Sequence, residues 1–253
     1  MDYNRQSSIF DPTCIKGKSV SIIGSGATGS AVALQLAMMG WGNTPQGQGI
    51  LKLFDGDTLA EHNLCNQIGY EISQIGKFKV EAMRETIMRK CGFQVKAFPY
   101  MVDDQPEVKS TYVFLLTDTM NSRKEIFEKL LWYSFETELV IETRMGIKDG
   151  RVYAFNPHVP SEVEEWRSTL YTDEEAEVSL CGSSQSIVTT AQFVASLAVS
   201  RLIQHFNLSA TGQGSLRGKD GRDPPMWNEM QFSLYPETFF CRIFGQSPRI
   251  LLL

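Results

Sequence analysis

Gly24, Gly26 and Gly29 stand as G-x-G-x-x-G between the apolar run SVSIIG and a second apolar stretch, AVALQLAMMG. Glycines so spaced let a backbone approach a phosphate closely. A helix starting there aims unpaired N–H groups and a partial positive charge at it. The same glycines would also serve a turn that merely joins a strand to a helix. Asp55 closes the run ILKLFD, where a carboxylate suits a ribose hydroxyl of NAD or of ATP equally. Lys79, in IGKFK, opens another helical stretch and can reach back toward phosphates, helped by the helix's positive end. In isolation it would read as a solvated lysine on a helix face. Asp118, in LLTDTMNSR, follows one more apolar run. A carboxylate beside a triphosphate is a natural magnesium ligand, although one here could equally cap a helix. Taken with Asn63 in the polar run HNLCNQ, these residues describe ATP with magnesium better than a dinucleotide.

Bringing such residues to one edge requires alternating elements. Residues 19–24, 50–55, 94–100, 112–117 and 138–142 read as strands, and the stretches after the glycine loop, over 75–91 and over 121–135, as helices. In the second helix Val80, Met83, Ile87, Met88 and Cys91 recur at helical spacing. The alternation predicts an α/β fold, a doubly wound, mostly parallel, Rossmann-like sheet whose ligands bind beyond the carboxyl ends of the strands. Beyond residue 150 the character changes. RVYAFNP (151–157) reads as an antiparallel addition, followed by the acidic stretch SEVEEWRSTLYTDEEAE and a long apolar helix over 186–206. Residues 212–225 read as a mobile loop, and MQFSLYP and FFCRIF as a closing pair of strands. The expected organisation is a single unit over 1–253, with a nucleotide-binding half, 1–150, and a second half, 151–253.

Bulk composition bounds the function. At 42% hydrophobic and 21% charged the chain is ordinary globular material, and a net charge of −5 argues against a nucleic-acid partner. No apolar run approaches the roughly 20 residues of a membrane span, and no signal-peptide core opens the chain. Five cysteines, never as CxxC, suggest neither a disulfide framework nor a cysteine zinc site, and a cytoplasmic setting is expected.

The order GxGxxG, DxD, NLxxQ, IGxxK, TDxxxxR resembles the ThiF/MoeB family of the ubiquitin-activating-enzyme superfamily, in a divergent bacterial or phage type. The likeness covers roughly residues 1 to 206, and YNRQ (3–6) is similar to the family's N-terminal RYxRQ. The resemblance implies an ATP-dependent adenylyltransferase, active as a homodimer, that activates the C-terminal carboxylate of a ubiquitin-like or sulfur-carrier protein. Residues 151–253 would then serve carrier binding and dimerisation. It further implies that Asp55 holds the ribose, Asn63 and Lys79 the phosphates, Asp118 the Mg2+, and Arg5 the partner subunit's nucleotide. Gln67 completes the NLxxQ motif.

One residue departs from the pattern. The family reads NLxRQ, whereas this chain has Asn66 where an arginine would face the phosphates. Hydrogen bonds to charged groups are worth roughly 1.5–3 kcal/mol against about 1 for neutral ones, so the exchange weakens phosphate stabilisation without abolishing it. Arg144, in ETRMG, stands on the same edge as a substitute cation or else as a surface arginine. Cys181, in SLCGSSQS, occupies the place where some family members carry the cysteine that takes the activated carboxylate; a thiolate is favoured before a helix N-terminus. Cys14, Cys65, Cys91 and Cys241 read as packing residues. The alternatives are adenylation of an unrelated peptide, a non-catalytic relative that only binds a carrier or an active partner, and, more distantly, an NAD-dependent oxidoreductase. The last explains neither Lys79 nor Asp118.

Overall fold

The computed structural model describes residues 6, 9–42, 49–103, 105–132, 134–172, 187–209, 227–234, 237–247 and 249–250. Five strands come first: β1 (Ser19–Ile23), β2 (Ile50–Phe54), β3 (Lys96–Phe98), β4 (Tyr112–Leu115) and β5 (Leu139–Met145). Three helices lie among them, α1 (Ala27–Met38), α2 (Lys79–Cys91) and α3 (Met120–Ile126). These strands pair in parallel, with Ile23 opposite both Phe54 and Leu115. β6 (Asp149–Phe155), β7 (Glu229–Leu234), β8 (Glu237–Arg242) and β9 (Arg249–Ile250) then extend the sheet antiparallel. The order is β3-β2-β1-β4-β5-β6-β7-β8-β9. The strand order therefore reverses at β1, between β2 and β4, and such a reversal opens a crevice beyond the carboxyl ends of the strands.

Side-chain alternation explains why both faces need cover. Val20 and Ile22 of β1, Leu51 and Leu53 of β2, Tyr112 and Phe114 of β4, and Leu139 and Ile141 of β5 enter one core with α1, α2 and the long α5 (Val188–Ser209). Ile23, Phe54, Val113, Leu115 and Val140 point to the other face. There they meet Phe127, Leu131 and Trp166. Strands buried on both faces read as near-continuous apolar runs, which is why they are visible in the sequence.

Some boundaries differ from expectation. The second helix begins at Lys79 and not near Ile75, because Ile72–Gln74 form a separate 3-10 turn and Gly76 lies at φ 88, outside helical space. α3 passes after Ile126 into a π turn, Phe127–Leu131, that buries Phe127, Leu130 and Leu131 together. Within the acidic stretch lies a helix, α4 (Pro160–Ser168), with proline in its first turn and only Val163 and Trp166 buried. Two apolar residues three apart among glutamates give too short a periodic signal to read. The 212–225 segment lies outside the described residues.

Candidate active site

The glycine loop separates two kinds of glycine. A Cβ on Gly29 would lie 1.9 Å from the Gly24 carbonyl oxygen, and one on Gly24, at φ +96, would lie 2.6 Å from that of Leu116. Both are demanded by packing, as a bare strand-to-helix turn would have it. Gly26 is different. It is the N-cap of α1 without a side-chain cap, and a Cβ there would meet nothing within 4 Å. Packing does not require glycine at this position; close approach by a ligand to the helix N-terminus would.

Asp55 follows directly on β2, and its carboxylate accepts the Ser25 N–H at 2.6 Å and the Asp57 N–H at 2.8 Å. Burial raises its pKa above the usual carboxylate value, against the opposing pull of those two N–H groups and of Lys79. The phenol of Tyr70 donates to the Ser25 carbonyl at 2.8 Å. Ser25 is thus held at both backbone polar groups by side chains from other segments. The Oγ atoms of Ser25 and Thr117 and Oε1 of Gln67 are buried without hydrogen-bond partners among the described residues.

Lys79 is the first residue of α2, and it is not a solvated lysine. Its side chain is 9% exposed, and Nζ donates to Asp57 Oδ2 at 2.7 Å. The Lys79 N–H donates to the Asp57 carbonyl at 2.9 Å, so the DxD segment and the start of α2 fix each other. The HNLCNQ run forms a 3-10 turn, Glu61–Cys65, closed from inside by Asn63. Asn63 is buried, its Oδ1 accepts the Ala60 N–H at 2.9 Å, and its carbonyl accepts the Gln67 N–H at 2.9 Å. The bond from Ala60 uses the side-chain oxygen locally. Asn66 caps the turn, donating its N–H to the Asn63 carbonyl at 3.3 Å.

Asp118 is exposed just beyond β4, where Leu116 donates to the Ile23 carbonyl at 2.9 Å and so sets this strand end against the glycine loop. It does not cap α3; Thr119 does, accepting the Ser122 N–H. Behind the loop, buried Arg123 donates to the carbonyls of Thr117 and Thr143 and lies 3.0 Å from Glu142 Oε1. Arg144 overturns both expectations for it, being neither a surface residue nor a spare cation. It is buried, its Nε donates to Glu142 Oε2 at 3.0 Å, and its Nη atoms donate to the carbonyl and hydroxyl of Thr169. Glu142 and Arg144 alternate onto the α4 face, where a fully buried carboxylate requires cations and polar donors; Trp166 Nε1 supplies another at 3.3 Å.

Arg5 and Cys181 lie outside the described residues. Of the cysteines taken as packing residues, Cys91 and Cys241 are buried, but Cys14 and Cys65 are exposed. Short-range turns explain Cys65: its residue closes a surface 3-10 turn, with Sγ donating to the His62 carbonyl at 3.0 Å. Cys14 lies in the surface 3-10 turn Pro12–Ile15, whose buried residues are Pro12 and Ile15. Asp57 and Tyr70 were missed by sequence reasoning. Asp57 had a signal, the DxD spacing; Tyr70 had none. A groove of about 550 Å³ lined by Arg84, Glu85, Met88 and Arg89 shares no residue with this set.

Comparison with known proteins places this geometry in context. A profile described as the ThiF family matches residues 10–222. The adenylyltransferase and sulfurtransferase uba4 of Aspergillus clavatus is 32% identical over 111 residues, 42% of this chain and 21% of that protein. This chain thus spans about a fifth of the curated relative it matches. Among solved structures, E. coli MccB with ATP is 14% identical at a TM-score of 0.63, covering 96% of this chain and 68% of the other. The microcin C7 biosynthetic enzyme MccB in complex with N-formylated MccA is 15% identical at 0.67, over 96% and 69%. PaaA is 18% identical at 0.62, over 94% and 66%. At these identities the structures share the fold.

Proposed function

The chain belongs to the ThiF family, and from that premise we propose that it is an ATP-dependent adenylyltransferase acting on a C-terminal carboxylate. The observation that carries the reading is the pairing of an open Gly26 at the switch point with Asp55, Lys79 and Asp118 around it. The residues fit the nucleotide. The α1 N-terminus would receive a phosphate, Asp55 a ribose hydroxyl, and Asn63, Gln67 and Lys79 the rest of the phosphate chain, with Asn66 in the family arginine's place. Asp118 would hold Mg2+ together with phosphate oxygens, since a small hard cation is commonly bound by one or two carboxylates plus the phosphates themselves. Among the described residues no group of three or more His, Cys, Asp or Glu could hold a metal alone.

A carboxylate oxygen of the substrate attacks the α-phosphorus; the bond to the bridging oxygen breaks, and pyrophosphate leaves. Lys79, its ammonium held by Asp57, stabilises the charge that develops on the phosphoryl oxygens. The acyl group then passes from the adenylate to Cys181 or directly to an acceptor, and AMP leaves. The carboxylate is that of a ubiquitin-like or sulfur-carrier protein, and the active form is a cytoplasmic homodimer sharing Arg5; the Aspergillus relative, an adenylyltransferase and sulfurtransferase, supports adenylation and sulfur chemistry. No described helix is long and apolar enough to cross a membrane. MccB, of the same fold, is seen with N-formylated MccA, which favours as a second reading a carboxylate from a different substrate. ATP–pyrophosphate exchange measured with and without candidate C-terminal peptides tests both. Exchange with none of them, despite ATP binding, would leave a non-catalytic binding protein.

A further inference from the structure

Resting on the nucleotide site proposed above, we propose that Tyr70 is a positioning residue that aims the Gly26 N–H at the phosphates. Its hydroxyl donates to the Ser25 carbonyl at 2.8 Å. The peptide joining Ser25 to Gly26 is planar, and in the trans form its C=O and N–H point in opposite directions. Holding the carbonyl toward Tyr70 therefore turns the Gly26 N–H the other way. The space beside that residue is open, since a Cβ on Gly26 would meet nothing within 4 Å. The preceding peptide is fixed as well, since the Ser25 N–H donates to Asp55 Oδ2 at 2.6 Å. Two side chains from two segments thus set the two peptides at the turn's tip.

Tyr70 is itself placed firmly. Gly69, at φ +85, presses against α1, where a Cβ would lie 2.6 Å from Leu34 Cδ1. The Gly69 carbonyl accepts the Thr86 hydroxyl of α2 at 2.7 Å, and the Tyr70 ring packs with Ile68 on the main core. Burial, and the charge of Asp55 nearby, push the phenol pKa well above its ordinary value, so the hydroxyl stays a donor. The phosphate-binding amide is thereby preorganised before any ligand arrives, which is where an enzyme gains most from fixed dipoles.

The test is Tyr70→Phe, which keeps the ring and removes only the donor. Calorimetric titration with ATP and with adenosine should show ATP affinity falling by roughly three- to tenfold, the scale of one hydrogen bond, with adenosine unchanged. In pyrophosphate exchange the KM for ATP should rise more than kcat falls. An equal loss for ATP and adenosine, or no loss for either, overturns the role. Should the variant fold poorly, the parent protein answers in its place. Its Gly26 amide proton should move downfield with ATP and stay put with adenosine, and a resonance indifferent to ATP refutes the proposal. A parent that binds no ATP removes the nucleotide site itself, an outcome distinct from a parent and variant that bind ATP alike.

Discussion

Replacing Gly26 with alanine separates a glycine kept for a ligand from glycines kept for the fold. Gly26 has φ −73 and ψ −150, outside the left-handed region that favours glycine, and the added methyl finds no atom within 4 Å. Alanine is a poorer N-cap than glycine, so the folded state should lose about 1 kcal/mol or less. For a chain this long that lowers the thermal midpoint by roughly 2–4 °C. Gly29→Ala, with its Cβ 1.9 Å from the Gly24 carbonyl, should be severely destabilised and serves as the contrast. Toward ATP the expectation inverts. The Gly26 methyl stands where a phosphate would approach, and forcing a methyl into filled space costs about 1–3 kcal/mol. That corresponds to roughly a 5- to 150-fold weaker Kd. Thermal unfolding and calorimetric titration of the same preparations measure both quantities. A Gly26→Ala protein that is stable and binds ATP like the parent would refute the assignment of this loop to phosphate. One that unfolds as badly as Gly29→Ala would show that a packing constraint had been overlooked.

Lys79→Ala should lower pyrophosphate exchange by about a hundredfold or more, the scale of removing one preorganised stabiliser, while Asn66→Ala loses less; parent-like exchange by Lys79→Ala would sink the site assignment. Because burial raises the Asp55 pKa, its ionised form is lost on acidification at a higher pH than for an ordinary carboxylate, whose pKa is about 4. If ionised Asp55 accepts a ribose hydroxyl, ATP affinity should fall as pH drops through that raised value, and Asp55→Asn should bind weakly with no such step. Deleting residues 1–8 should leave the fold intact but cut turnover by removing Arg5 from the partner's site; a fully active monomeric truncation contradicts this. If Cys181 accepts the acyl group, ATP and substrate should give a thiol-labile adduct that Cys181→Ala cannot form though it still exchanges pyrophosphate.

Much of the sheet was legible because its strands are buried on both faces and read as near-continuous apolar runs, as in Tyr112–Leu115. The glycine loop and Asp55 were legible for a related reason: they sit where such runs stop, and a doubly wound sheet collects its run-ends at one edge. Contacts that depend on pairs distant in sequence could not be read. Nothing in Arg144 alone announces that Thr169 accepts its hydrogen bonds from 25 residues away, nor in Tyr70 that Ser25 lies within hydrogen-bond reach 45 residues away. Lys79 was placed at the start of its helix, yet its partner Asp57 went unnoticed, since an ion pair across 22 residues leaves no local periodicity. α4 was hidden by its own charge, its two buried residues, Val163 and Trp166, being too few to set a phase.

Arg123 holds a carbonyl from the segment after β4 and another from β5 with one guanidinium, itself buried beside Glu142. Freeing either segment takes one carbonyl from a guanidinium buried beside Glu142 and weakens its hold on the other. The two strand ends therefore form one cooperative opening unit, not a loop that frays residue by residue. The Asp118 segment, although on the surface, inherits the opening free energy of the β5 edge behind it. Its backbone amides should therefore exchange with solvent more slowly than their exposure alone implies.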